Sequence, residues 1–146
     1  MSISSRQQQR FWLLVAFAIV GYAASQYNPE SASQSPQVHS VQAAYAQQQS
    51  DVQLEVTASI IELLPDDDEG TRHQKFLVKT SSGLTVLVAH NIDLAPRIKK
   101  LKKGKKIILY GEYEWSQKGG ILHWTHHDPQ GRHSDGWVDY QGQRYQ

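Results

Sequence analysis

From Asp51 to Leu63 the chain alternates. Val52, Leu54, Val56, Ala58 and Ile60 fall on one side, and Gln53, Glu55, Thr57 and Ser59 on the other. Period 2 over that length is the mark of a half-buried β-strand. A strand with one apolar face must find partner strands and a core, so the fold has to supply both. The alternation returns in Arg72–Thr80, where Phe76 and Val78 oppose Lys75, Leu77 and Lys79. Between the two runs, Pro65-Asp66-Asp67-Asp68-Glu69-Gly70 is a turn cluster. Ser81-Ser82-Gly83 then leads tightly into Leu84–His90, which predicts a hairpin.

A helical pattern follows. Asp93 is placed to cap and Pro96 falls in a first turn, where its missing N–H costs little. Leu94, Ile98 and Leu101 form one stripe at i, i+4, i+7, and Gly104 is a stop. Lys105–Ser116 reads as a strand, Gln117–Gly120 as a turn and Ile121–His127 as the returning strand. Trp137–Tyr140, between glycine-centred turns, reads as a further short hairpin or a wrapping tail. The order is strand, strand, strand, helix, strand, strand. That predicts an all-β domain with one helix, an OB-fold-like five-stranded barrel with a C-terminal extension. Gly111 in mid-strand suits the sharp coiling that closure needs. A different small half-barrel, or an antiparallel sheet on one helix, is the competing architecture.

Four segments in this order, RHQKF (Arg72–Phe76), VAHNIDLAPRI (Val88–Ile98), YGEYEW (Tyr110–Trp115) and HWTHHDPQGRH (His123–His133) with a later Gly136-Trp137, resemble a family of small exported bacterial proteins labelled domain of unknown function 3465. The resemblance covers Val52–Gln146. It implies a shared fold and export, and it carries no activity, substrate or catalytic residue.

Ahead of the domain, Met1–Arg10 is polar and holds Arg6 and Arg10 with no acid, and Phe11–Ala24 is almost wholly apolar. A basic start and a short apolar run predict an export signal or N-terminal anchor over 1–25. The run is short of the ~20 residues of a full span. Residues 26–50, rich in Gln and Ser, show no sustained period and predict a disordered linker. The destination is the periplasm or the exterior, with any membrane contact made through the N-terminal segment alone.

Composition closes several routes. With no cysteine in 146 residues, a disulfide scaffold, a thiolate zinc site and a cysteine nucleophile are excluded. Fifteen Lys and Arg face fourteen Asp and Glu, and Arg6 and Arg10 belong to the leader, so the exported part is nearly neutral. That balance argues against a general nucleic-acid binder, although Arg97–Lys106 is locally basic and Tyr110 is a possible base-stacking ring. No P-loop, dinucleotide fingerprint or nucleophile elbow occurs.

Chemistry concentrates in His123–Asp135, with His123, His126, His127 and His133 close in sequence. If Ser116 lies opposite Ile121, then Glu114 faces His123, Glu112 faces Thr125 and Tyr110 faces His127. Tyr113, Trp115, Leu122 and Trp124 would point to the core. Glu114 and His123 are then candidates for catalysis, and His123, His126, His127 and Asp128 for a divalent metal ion. The carboxylates should raise the imidazole pKa values. A second group, Arg72, His73, His90, Asn91 and Asp93, would meet at one rim of the first hairpin and, with Tyr110 and Glu112, is a candidate ligand surface. Two functions follow: an exported binding or interaction domain for a small ligand or envelope polymer, or a metal-dependent hydrolase of the phosphodiesterase or nuclease kind. Nucleic acid is the less favoured partner because the loop after the first strand is acidic.

Overall fold

A computed structural model of the chain describes residues 40–146. The expected leader over 1–25, most of the expected linker and His39 lie outside the described residues. Seven strands follow one short helix: α1 (Val41–Ala46), β1 (Val52–Leu63), β2 (His73–Thr80), β3 (Thr85–Asn91), β4 (Lys106–Glu114), β5 (Ile121–His123), β6 (Trp137–Tyr140) and β7 (Gln143–Tyr145).

The first five strands close a barrel in the order β1-β2-β3-β5-β4, with β4 returning to β1. All these pairs are antiparallel except β3 with β5. This is the connectivity of the expected OB-like Greek-key barrel. Closure rests on β1, whose first part pairs with β4 and whose second part pairs with β2. A bulge between Ile60 and Glu62 lets the long strand turn from one neighbour to the other. The alternation read from the sequence sets the inside: Leu54, Val56, Ala58 and Ile60 of β1 are buried with Phe76, Val78, Val86, Val88, Ile107, Leu109, Tyr113 and Leu122. The C-terminal extension forms the hairpin β6–β7, which pairs with the part of β4 that the three-residue β5 does not reach.

Two elements differ from expectation. No helix forms between β3 and β4; residues 92–105 run as successive turns. Their backbone groups find partners outside the segment. Gln74 brackets Ile98, accepting its N–H at 2.9 Å and donating to its carbonyl at 3.1 Å. The Tyr140 hydroxyl accepts the Lys102 N–H and donates to the Lys100 carbonyl, each at 3.1 Å. Asn91 Oδ1 accepts the N–H of Asp93 and Leu94, and Lys100 is left-handed at φ 55°. The expected stripe is therefore split: Ile98 is buried and Leu94 is exposed.

The helix lies instead at the end of the expected linker. Ser40 caps α1 by accepting the Ala43 N–H, and Val41 and Ala44 are buried in the core. Gln42 donates to Thr80, and Tyr45 to the Gln117 carbonyl, so α1 sits at the barrel end that carries the β2–β3 and β4–β5 turns. Among the described residues, no helix is long and apolar enough to cross a membrane. A chain beginning at residue 51 should unfold with about 2 kcal/mol less stability than one beginning at residue 38, because it lacks the buried Val41 and Ala44. Urea unfolding of the two chains measures this, and equal stability would show that α1 contributes nothing.

Candidate functional site

The outward side chains of β4 and β5 meet in one cluster. Glu112 pairs with His123, Tyr113 with Leu122 and Glu114 with Ile121. The register is displaced by two residues from the expected one, because Trp115–Gly120 forms a longer connection closed by Gly119 N–H on the Ser116 carbonyl at 3.0 Å. An even shift keeps every side chain on its face. Tyr113 and Leu122 are accordingly buried, and Glu112, Glu114 and His123 share the outer face. Trp115 and Trp124, expected in the core, are only half-buried.

His123 Nε2 lies 3.4 Å from Glu112 and 3.9 Å from Glu114. The expected upward pKa shift is reversed here. Burial of His123, its largest influence, outweighs the two carboxylates and lowers its pKa, with His133 adding to the fall.

The fifth strand stops at His123 rather than continuing to His127. Trp124 takes a left-handed backbone at φ 51°, and the chain turns away. Gly136 returns against this corner: an added Cβ there would stand 1.9 Å from the Trp124 carbonyl oxygen, so only glycine fits. The residues between them fold back over Glu112. Asp128 organises this loop by accepting the N–H groups of Gln130, Arg132 and His133 at 2.7–2.9 Å. The Gln130 bond is the chief cause of its lowered pKa. His126 is buried, stacks obliquely on Trp124 and uses Nδ1 to bond the His127 carbonyl. His127 is exposed and pairs with Asp135 at 2.7 Å. The four expected metal ligands therefore do not converge. Asp128, His126 and His127 are spent on the loop, and only His123 reaches the cluster.

His133 takes their place. Its Nδ1 faces the Ser134 carbonyl at 2.8 Å and its Nε2 faces Glu112 Oε2 at 2.6 Å. Both partners accept, so the ring satisfies both only with a proton on each nitrogen. Desolvation opposes that charge, but the Glu112 bond, the Ser134 carbonyl and the nearby carboxylates raise its pKa. Trp124 stacks on the same ring, centroids 4.2 Å apart and planes 8° apart, a favourable seat for a cation. His133 stands in the histidine-rich stretch noted in the sequence but has no role assigned there; its place ten residues beyond His123 offers no register to follow.

Beside the cluster, the outer faces of β2, β3, β5 and β4 form a groove of about 370 Å³. Its walls are His73 and Lys75, Leu87 and Ala89, Ile121 and His123, and Glu114, with Asp67 at one edge. Of the expected rim group, Arg72, His73, Asn91 and Asp93 lie together, but largely for structural ends. His73 pairs with Asn91. Asp93 accepts the Arg72 backbone N–H at 2.7 Å and its guanidinium at 2.7–2.8 Å, which holds the carboxyl below its ordinary pKa. His90 leaves the rim altogether. It is fully buried, with Nδ1 on Thr125 at 2.9 Å and Nε2 on the Pro96 carbonyl at 3.2 Å. The carbonyl only accepts, so Nε2 carries the proton and Nδ1 accepts from the hydroxyl. His90 is a satisfied core residue and no ligand contact. Tyr110 meets Trp137 of β6 rather than His127, and Arg144 covers the Trp137 ring at 3.9 Å. The acidic loop is likewise engaged within the chain: Asp66 pairs with Arg97, and Asp67 lies 3.5 Å from Lys75.

Fold and site together define a small OB-like barrel with a groove of mixed apolar and polar lining and a Glu–His cluster on its outer wall. Residues 23–146 match the family described as protein of unknown function (DUF3465), and the chain belongs to that family. Comparison with curated proteins and with solved structures finds no match.

Proposed function

We propose that this chain is an exported binding domain, periplasmic or secreted, that takes a small ligand or a segment of an envelope polymer into the groove between β2, β3, β5 and β4. The observation that carries the reading is the groove itself. It lies on the second and third strands, where OB barrels place their ligands, and it mixes an apolar floor of Leu87, Ala89 and Ile121 with polar walls of His73, Lys75, Glu114 and His123. The basic, apolar N-terminus supports export. Asp67 at the groove's edge, within the acidic run Asp66–Glu69, disfavours a nucleic-acid backbone.

Amide and methyl chemical shifts of the isotope-labelled protein test this reading against soluble peptidoglycan fragments, a neutral oligosaccharide and an oligothymidylate. Shifts confined to His73, Lys75, Leu87, Ala89, Ile121 and His123 are expected with the envelope fragments. Shifts only with the oligothymidylate, or only on the Lys99–Lys106 surface, would replace the reading. No shift with any probe at millimolar concentration would sink it.

A further inference from the structure

Among the described residues, three buried side-chain polar atoms have no hydrogen-bond partner: Nε2 and Oε1 of Gln53, and Nε2 of His123. They are not scattered. Gln53 pairs with Glu112 across β1 and β4, and Glu112 pairs with His123 across β4 and β5. The three residues form one row over three strands on the outer face, with the Glu112 carboxylate at its centre. Buried polar groups are ordinarily satisfied, so the unpartnered His123 Nε2 facing the Glu112 carboxylate calls for an explanation.

Glu114 stands two places along β4 on the same face. One ligand atom each from Glu112, Glu114 and His123 lies within 4.8 Å of the others. Although His123 Nε2 lies 3.4 Å from Glu112 Oε1 and 3.9 Å from Glu114 Oε1, it makes no hydrogen bond to either. The other oxygen of Glu112, Oε2, is bound by His133 Nε2 at 2.6 Å. That bond turns Oε1 toward His123 and fixes it, as outer partners fix the ligating carboxylates of metal centres.

We propose that Glu112, Glu114 and His123 bind a divalent transition-metal ion of the zinc type, with His133 as the residue that positions Glu112. One imidazole and two carboxylates are a donor set for zinc and its neighbours, whereas calcium and magnesium take oxygen throughout. Three protein donors leave a coordination position for water or for an oxygen of the groove ligand, and His123 and Glu114 both line the groove. The inference deepens the binding reading by giving the groove an electrophilic wall. It rests on that reading only for what fills the remaining position.

The test is calorimetric titration of the chelator-stripped full chain with zinc chloride at neutral pH. One site per chain is expected. His123→Ala should weaken it about a hundredfold, and Glu114→Gln and His133→Phe about tenfold each. His127→Ala, on the exposed loop, should leave it unchanged. Far-UV circular dichroism confirms that each variant is folded; if His123→Ala does not fold, Glu114→Gln decides. Cobalt(II) should give visible absorption bands in the wild type that are lost in His123→Ala. A wild type that binds zinc no better than His123→Ala, or folded variants that all bind as the wild type does, overturns the proposal. Failure of zinc binding while the groove still takes envelope fragments removes the metal alone. Zinc binding with no fragment bound removes the groove reading alone.

Discussion

Replacing Gly111 with alanine is expected to lower the unfolding free energy by roughly 3 kcal/mol and to displace His123 from its carboxylates. Gly111 faces inward on β4, and an added Cβ would lie 2.3 Å from the His123 carbonyl oxygen and 2.8 Å from the Thr125 methyl group. The first of these is backbone, so no rotamer change relieves it. β5 has three residues and pairs with β3 on one side and β4 on the other, so it cannot retreat from Gly111 without losing the β3–β5 contact that closes the barrel. Alanine would regain a few tenths of a kcal/mol to ~1 kcal/mol of strand propensity, too little to offset the clash. Urea unfolding with amide shift mapping measures both effects. A variant within ~0.5 kcal/mol of the wild type, with His123 unmoved, would mean that the close approach is not needed.

Acidification is expected to destabilise the domain through His90. Burial is the dominant influence on this ring; with His126 and His73 adding like charge, and the Pro96 and Thr125 bonds opposing, its pKa falls to about 4. In the unfolded chain the ordinary value is about 6.5. As pH falls below 6.5, the unfolded chain therefore takes up a proton that the folded chain refuses. Stability is complete above that value and is lost progressively as pH falls toward 4. At ~1.4 kcal/mol per unit, the loss is roughly 3 kcal/mol. His133 acts in the opposite sense, because its raised pKa adds stability that is fully present at low pH. That contribution is common to the wild type and His90→Gln, so it cancels in their difference. His90→Gln should be less stable at pH 7 yet lose less on acidification, and the two stability curves should converge near pH 4. Curves that stay parallel from pH 7 to pH 4 would show that His90 does not carry the linkage.

Much of the barrel is legible in the chain itself. Alternation in β1, β2 and β4 names the inward residues of those strands, since a one-residue error would bury Glu112 and His123 and expose Tyr113 and Leu122, while Trp115 and Trp124 just beyond the strand ends escape the core. The same constraint places Glu112, Glu114 and His123 together on the outer face even though the turn length, and with it the pairing, was two residues off. Face is a property of a residue's own strand. Register is a property of two strands and their connection, and nothing in Trp115–Gly120 announces its closure on Ser116.

Helix placement failed for a related reason. Leu94, Ile98 and Leu101 carry helical spacing, but Gln74 and Tyr140, distant in sequence, take the backbone groups that a helix would have bonded within itself. The six residues of α1 have the right local signals, a Ser40 cap with Val41, Ala44 and Tyr45 at i, i+3, i+4, yet so short a run on a polar background becomes a helix only once the barrel end buries it. The loop histidines tell the same story. Sequence alone determined that this chain makes a one-sided β-structure with carboxylates and imidazoles on its outer face, because period and polarity are local. Only the tertiary structure decided which imidazole meets which carboxylate. Those pairings depend on the left-handed corner at Trp124 and on the Asp128 hydrogen bonds that fold the chain back, and these bring His133, not His127, to Glu112.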